Sequence, residues 1–128
     1  MKEIIAATTL QDIQKYIETK ENVKLVCRKQ DIQTRPQGHK PHYDFGYDKY
    51  GKPSHHMDWC VYSASVLKTT EYDGGEFVFV DENNNELEVI DKYKHFNHAL
   101  VFDVSHKHKV NPHKNGKRTV ELFFFAKQ

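Results

Sequence analysis

Cysteine is scarce: Cys27 and Cys60 are the only two, they form no C-x-x-C pair, and they fit reduced thiols better than a disulfide framework. Long apolar runs are absent as well. Lys2 and Glu3 precede a short Ile4-Ile5-Ala6-Ala7 stretch that has neither the length of a membrane span nor the form of a secretory h-region, so the expected setting is cytoplasmic, with no membrane partner. Charge of one sign is not in excess. Nineteen Lys and Arg against eighteen Asp and Glu leave a net +1, and no like-charged block reads as a nucleic-acid arm. Internal repeats, low-complexity tracts and linkers are also missing. Apolar residues make up only 38%, yet eight Phe and seven Tyr argue against disorder. A chain of 128 residues is read as a single domain, 1–128, able to fold without disulfide or metal staples.

Histidine is abundant. Nine residues cluster at His39/His42, His55/His56, His95/His98 and His106/His108/His113. Around them the pattern predicts one helix and then strands. Thr9 followed by Asp12 approximates a capping box, and Leu10, Ile13 and Ile17 keep helical spacing, which places a helix from Leu10 to about Thr19. Val23–Cys27 and Ile32–Thr34 read as two short strands separated by polar residues. Pro36, Gly38, Pro41, Gly46, Gly51 and Pro53 mark the stretch between Thr34 and Ser54 as loops. Strands are expected at Val61–Leu67, Glu76–Val80, Glu86–Ile90, Ala99–Val104 and Thr119–Phe125, with turns at Asp73-Gly74-Gly75 and Glu82–Asn85. A helix followed by short strands at regular spacing predicts a mainly β antiparallel sandwich or barrel, with a jelly roll among the standard closures.

Three segments carry chemistry. They are His55-His56-Met57-Asp58, then Tyr72-Asp73-Gly74-Gly75-Glu76-Phe77, then the block from His108 to Arg118. In extended chain an H-x-D puts both side chains on one face. A third His from another strand completes a set of two imidazoles and one carboxylate, the ligand set of non-heme Fe(II) oxygenases. Two H-x-D pairs are available: His42-Tyr43-Asp44 and His56-Met57-Asp58. The second is favoured, because a strand follows it directly and because His42 leaves only forty-one residues upstream to build a supporting sheet.

The order H-x-D, Y-D-G-G-E-F and H-x-V-x-P-x-x-x-G-x-R over about Tyr47 to Phe125 resembles the Fe(II)- and 2-oxoglutarate-dependent dioxygenases, most nearly their prolyl and lysyl hydroxylase-type domains. The resemblance implies a double-stranded β-helix (jelly roll) with an N-terminal helix, and Fe(II) held by His56, Asp58 and His108 as catalytic and metal-ligating residues. It implies that Arg118, ten residues after His108, pairs with the distal carboxylate of 2-oxoglutarate, with Tyr47, Tyr50 and Ser65 as further hydrogen-bonding residues. The implied partners are 2-oxoglutarate and dioxygen, with ascorbate as a possible reductant and a protein or small-molecule substrate, prolyl or lysyl side chains by analogy, to be hydroxylated. His55, His95, His98, His106 and His113 are expected at the surface or behind the ligands. Two other readings stay open: a non-catalytic jelly-roll metal- or ligand-binding module, and a His-rich zinc protein, which would have no use for Arg118.

Overall fold

The computed structural model describes residues 1–35, 37–45 and 57–128. Its first elements are β1 (Lys2–Ile5) and α1 (Leu10–Glu21). Thr9 caps the helix, its Oγ1 accepting from the Asp12 amide at 3.2 Å. Ile13 and Ile17, one turn apart, are fully buried. The helix runs one half-turn beyond the expected end and stops at Asn22, whose left-handed conformation lets its amide reach Glu18 O.

The strands that follow are β2 (Leu25–Arg35), β3 (His39–His42), β4 (Tyr62–Leu67), β5 (Asp73–Gly74), β6 (Phe77–Val80) and β7 (Glu86–Ile90). After a short helix, α2 (Lys92–His95), come β8 (Ala99–Asp103), β9 (Lys107–Val110), β10 (His113–Lys114) and β11 (Arg118–Lys127). A five-stranded sheet has the order β1-β8-β4-β11-β2, a four-stranded sheet the order β3-β9-β6-β7, and β10 pairs with β5. The ladders are antiparallel. This is the jelly-roll architecture with an N-terminal helix that the sequence predicts.

Period-two alternation divides the core between the two faces of the larger sheet. Ala64, Val66, Val101, Phe123 and Phe125 turn to one face and pack with Ile13 and Ile17 of α1. Leu100 and Phe102 turn to the other and pack against Phe77, Phe79 and Val110 of the smaller sheet. Each buried Phe contributes about 1.5–3 kcal/mol by removal from water. Ser65, Leu67 and Arg118 share the inter-sheet parity, so polar groups enter the sandwich interior where a ligand could use them.

Three expectations change. The two strands expected from Val23 to Thr34 are one, β2, because β11 pairs with it from Leu25 to Arg35 through the polar Arg28–Asp31 segment. The Pro- and Gly-marked stretch contains β3, and the His108 block contains β9. Pro41 fits because β3 is an edge strand of its sheet, where a missing N–H is tolerated. Among the described residues no helix is long and apolar enough to cross a membrane.

Candidate metal centre and carboxylate pocket

β3 and β9 pair so that His42 and His108 stand opposite one another. Asp44 lies two residues past His42 and turns back onto the same spot. Its Oδ1 is 3.4 Å from His42 Nε2 and 3.2 Å from His108 Nε2, and one ligand atom from each residue falls within 4.8 Å of the others. The opposite ring nitrogens are occupied: His42 Nδ1 donates to Lys40 O at 2.7 Å, and His108 Nδ1 donates to His106 O at 3.0 Å. Since a carbonyl only accepts, Nδ1 carries the proton in each neutral ring and Nε2 is left as a lone pair aimed at the carboxylate. Two lone pairs facing an anion are stable only with a positive charge among them, either protons on the rings or a metal ion.

The electrostatics carry the same message. Burial would raise the Asp44 carboxyl, but His108 and His42 hold it far below the ordinary carboxylate range. Burial also works against charge on His108, yet Asp44 lifts it above an ordinary imidazole. The His108 ring, 4% exposed, is fixed by Phe77 stacked at 5.1 Å and Phe102 edge-on at 5.0 Å. Two imidazoles with backbone-fixed tautomers and one carboxylate suit a divalent transition metal with positions left open.

Of the two H-x-D pairs, it is His42 and Asp44 that the described residues bring together with His108. Asp58 is exposed in the turn at 57–59 and stands outside this cluster, while His56 lies outside the described residues. The upstream shortfall was only apparent: β1, α1 and β2 fit before His42 and supply both outer strands of the larger sheet. Tyr47 and Tyr50 also lie outside the described residues. Trp59, beside Asp58, is half-buried with the Arg28 guanidinium 4.6 Å above its ring.

Arg118 is where the strand parity puts it, 7% exposed and inside the sandwich. Burial pulls its guanidinium below the ordinary value, opposed by the electrostatic interaction with the Tyr72 side chain beside it. Its Nε has no partner, and among the described residues no carboxylate forms an ion pair with it. A buried cation without an anion costs several kcal/mol, so an anion arriving beside this guanidinium would relieve that cost. It borders a pocket of about 320 Å³ that Tyr72, Gly75, Phe77 and His95 also line. Gly75 has φ +67°, and a Cβ there would meet Tyr72 Cε2 at 2.9 Å. The Gly-Gly turn therefore makes room for the ring that touches Arg118.

Sequence reasoning passed over Tyr72 and His95. Tyr72 was visible as the first residue of the Y-D-G-G-E-F segment; His95 had no signal, being one His among nine. His95 is 1% exposed, and its Nε2 lies 2.9 Å from Ser65 O and 3.2 Å from Ser65 Oγ. Ser65 is thus buried at this pocket's His95, though already engaged. Burial pushes His95 down to about 4, with Arg118 adding to the effect. The unfolded chain takes up this proton near pH 6.5 and the folded chain resists it. Stability from His95 is therefore complete above pH 6.5 and lost as pH falls through 4, by up to about 3 kcal/mol. Urea unfolding between pH 7.5 and 4 should show a shallower decline in His95→Gln than in wild type.

The model of the 2OG-Fe(II) oxygenase superfamily matches residues 30–126. No curated protein matches the chain. Among solved structures, an oxidoreductase of the 2OG-Fe(II) oxygenase family from Burkholderia pseudomallei superposes with a TM-score of 0.68 at 16% identity, over 88% of this chain and 51% of that one. A Pseudomonas putida prolyl-4-hydroxylase superposes with a TM-score of 0.65 at 15% identity, over 94% of this chain and 63% of that one. Identities this low speak to the fold, and the chain spans only about half to just under two thirds of those proteins' lengths. The family match covers three quarters of the chain, from the middle of β2 to the end of β11, and includes both the His42–Asp44–His108 cluster and Arg118: the chain belongs to the 2OG-Fe(II) oxygenase superfamily.

Proposed function

We propose that the protein is an Fe(II)- and 2-oxoglutarate-dependent oxygenase that hydroxylates a C–H bond of its substrate, with a prolyl or lysyl side chain as the first class to try. The observation that carries this reading is Arg118, a buried cation with no carboxylate partner among the described residues, facing the same inter-sheet space as a His-Asp-His cluster whose Nε2 lone pairs converge. His42, Asp44 and His108 would hold the metal. With 2-oxoglutarate and dioxygen, Fe(II) supplies the oxidising chemistry that converts the 2-oxo acid to succinate and carbon dioxide and hydroxylates the substrate. The chain's own residues bind and orient. Arg118, held by Tyr72, receives the distal carboxylate; Phe77 and Phe102 keep His108 dry and fixed; the Nδ1 bonds of both imidazoles hold their tautomers. Phe45, 47% exposed one residue past Asp44, offers an aromatic surface beside the metal cluster for substrate.

Slow decarboxylation without substrate permits a direct test. Under air, with Fe(II), ascorbate and 2-oxoglutarate, wild type should form succinate at least about tenfold faster than His108→Ala. Equal rates from folded, iron-loaded wild type would favour a binding module that holds the ligands without turnover.

A further inference from the structure

The edge of a sheet presents a row of backbone N–H and C=O groups with which another strand can pair. The two larger sheets have four such edges: β1, β2, β3 and β7. β1 and β7 are bridged to each other by Lys2 and Glu88 at 2.9 Å, and β3 is only four residues long, contains Pro41 and carries His42 of the metal cluster. β2 is different. It is eleven residues long, and among the described residues its one ladder is with β11. A bulge at Phe124/Phe125 breaks that ladder near Arg28, but from Lys29 to Arg35 it runs without a shift, and Ile32 is its midpoint. Ile32 is also 63% exposed.

An antiparallel pairing of this segment with itself, centred on Ile32, is complementary at every position from Gln30 to Thr34. Ile32 meets Ile32, Asp31 meets Gln33 on both sides of the centre, and Gln30 meets Thr34 outside them. Within one chain Gln33 Nε2 already donates to Asp31 Oδ2 at 3.1 Å, and a carboxylate has lone pairs enough to accept from a second amide. Beyond these five residues the register sets Lys29 against Arg35, both cationic, and the seam ends. The same test fails on β7. There the register that pairs Leu87 with Val89 sets Glu88 directly against Glu88.

We propose that β2 is a self-association edge, through which two copies of this chain join their five-stranded sheets into one antiparallel sheet of twice that width. Five residues a side fall short of the roughly 1,200 Å² that a stable interface buries, so the dimer is a weak one, with a dissociation constant on the order of 0.1 mM. Strand parity gives the seam its place in the molecule. Asp31 pairs with Leu122, which pairs with Ser65, so Asp31 and Gln33 lie on the inter-sheet face of the larger sheet, and the second copy lengthens that wall.

The test is sedimentation velocity of the full chain, without metal or co-substrate, from about 0.01 to about 1 mM, with amide hydrogen exchange followed at both ends of that range. The mass should rise from one chain toward two, and exchange within Gln30–Thr34 should slow about threefold at the higher concentration. Ile32→Asp changes an exposed side chain and sets two carboxylates against each other at the centre of the seam, so with unaltered circular dichroism it should raise the dissociation constant at least about tenfold. Leu87→Asp, 65% exposed on β7, should leave association as it is. A chain that stays monomeric to the top of the range overturns the proposal. So does a dimer that Ile32→Asp leaves intact, one that Leu87→Asp weakens equally, or exchange slowed at Glu86–Ile90 in place of Gln30–Thr34. None of these outcomes touches the oxygenase reading, which is tested by succinate formation.

Discussion

Asp44→Ala should lose at least about a hundredfold in Mn(II) or Fe(II) affinity, some 2.7 kcal/mol or more, measured by calorimetry and by metal content after gel filtration. Asp44 is the only anion of the cluster, and its oxygen is the point on which both Nε2 atoms converge. Without it two neutral imidazoles remain, and these hold a hard divalent ion poorly. His42→Ala should behave similarly. His56→Ala and Asp58→Ala should leave metal content at the wild-type level. Retention of metal by Asp44→Ala together with loss by Asp58→Ala would restore the register that the sequence favours. Circular dichroism must accompany these variants, because Asp44→Ala leaves two buried imidazoles without their counter-ion.

Arg118→Met should weaken 2-oxoglutarate binding about ten- to a hundredfold, or roughly 1.5–3 kcal/mol, without altering metal affinity. Met keeps the length and apolar stem of arginine but cannot make a charge-assisted bidentate pair. The folded state should tolerate the change well, since it replaces a buried guanidinium that pairs with no carboxylate among the described residues. Arg118→Lys should fall between the two, because an ammonium keeps the charge without the planar fork. Unchanged affinity in Arg118→Met would exclude the clamp.

The parts of this fold legible in sequence are those where local pattern and tertiary role agree. Thr9, Ile13 and Ile17 announce α1 because capping and apolar spacing both serve the helix that covers the larger sheet. Ala99–Asp103 and the Phe-rich end of β11 announce themselves because they lie in the middle of that sheet. The edge strands β2 and β3 do not. β2 has Arg28 to Asp31 in its middle, and its identity as one strand comes from its long ladder with β11. β3 reads as loop because Gly38 and Pro41 flank or interrupt it. That missed strand is what blurred the site. Both H-x-D pairs satisfy the same alternation, and what brings His42 to His108 is the pairing of β3 with β9, a contact between distant segments that sequence does not display. Arg118 was singled out by the resemblance to the family, ten residues after His108. Tyr72 stands in the Y-D-G-G-E-F segment, but its place beside Arg118 was not legible, since that depends on a side-chain interaction across to β11.

The central claim is that one protein site joins a metal at His42, Asp44 and His108 to a carboxylate on Arg118. Anaerobic visible spectroscopy tests both halves at once. Fe(II) and 2-oxoglutarate added to wild type should produce the weak charge-transfer band of the 2-oxo acid chelated to iron, absent in Asp44→Ala and requiring about ten- to a hundredfold more 2-oxoglutarate in Arg118→Met. A band of wild-type intensity in Asp44→Ala, or no band in folded wild type loaded with iron, would contradict it.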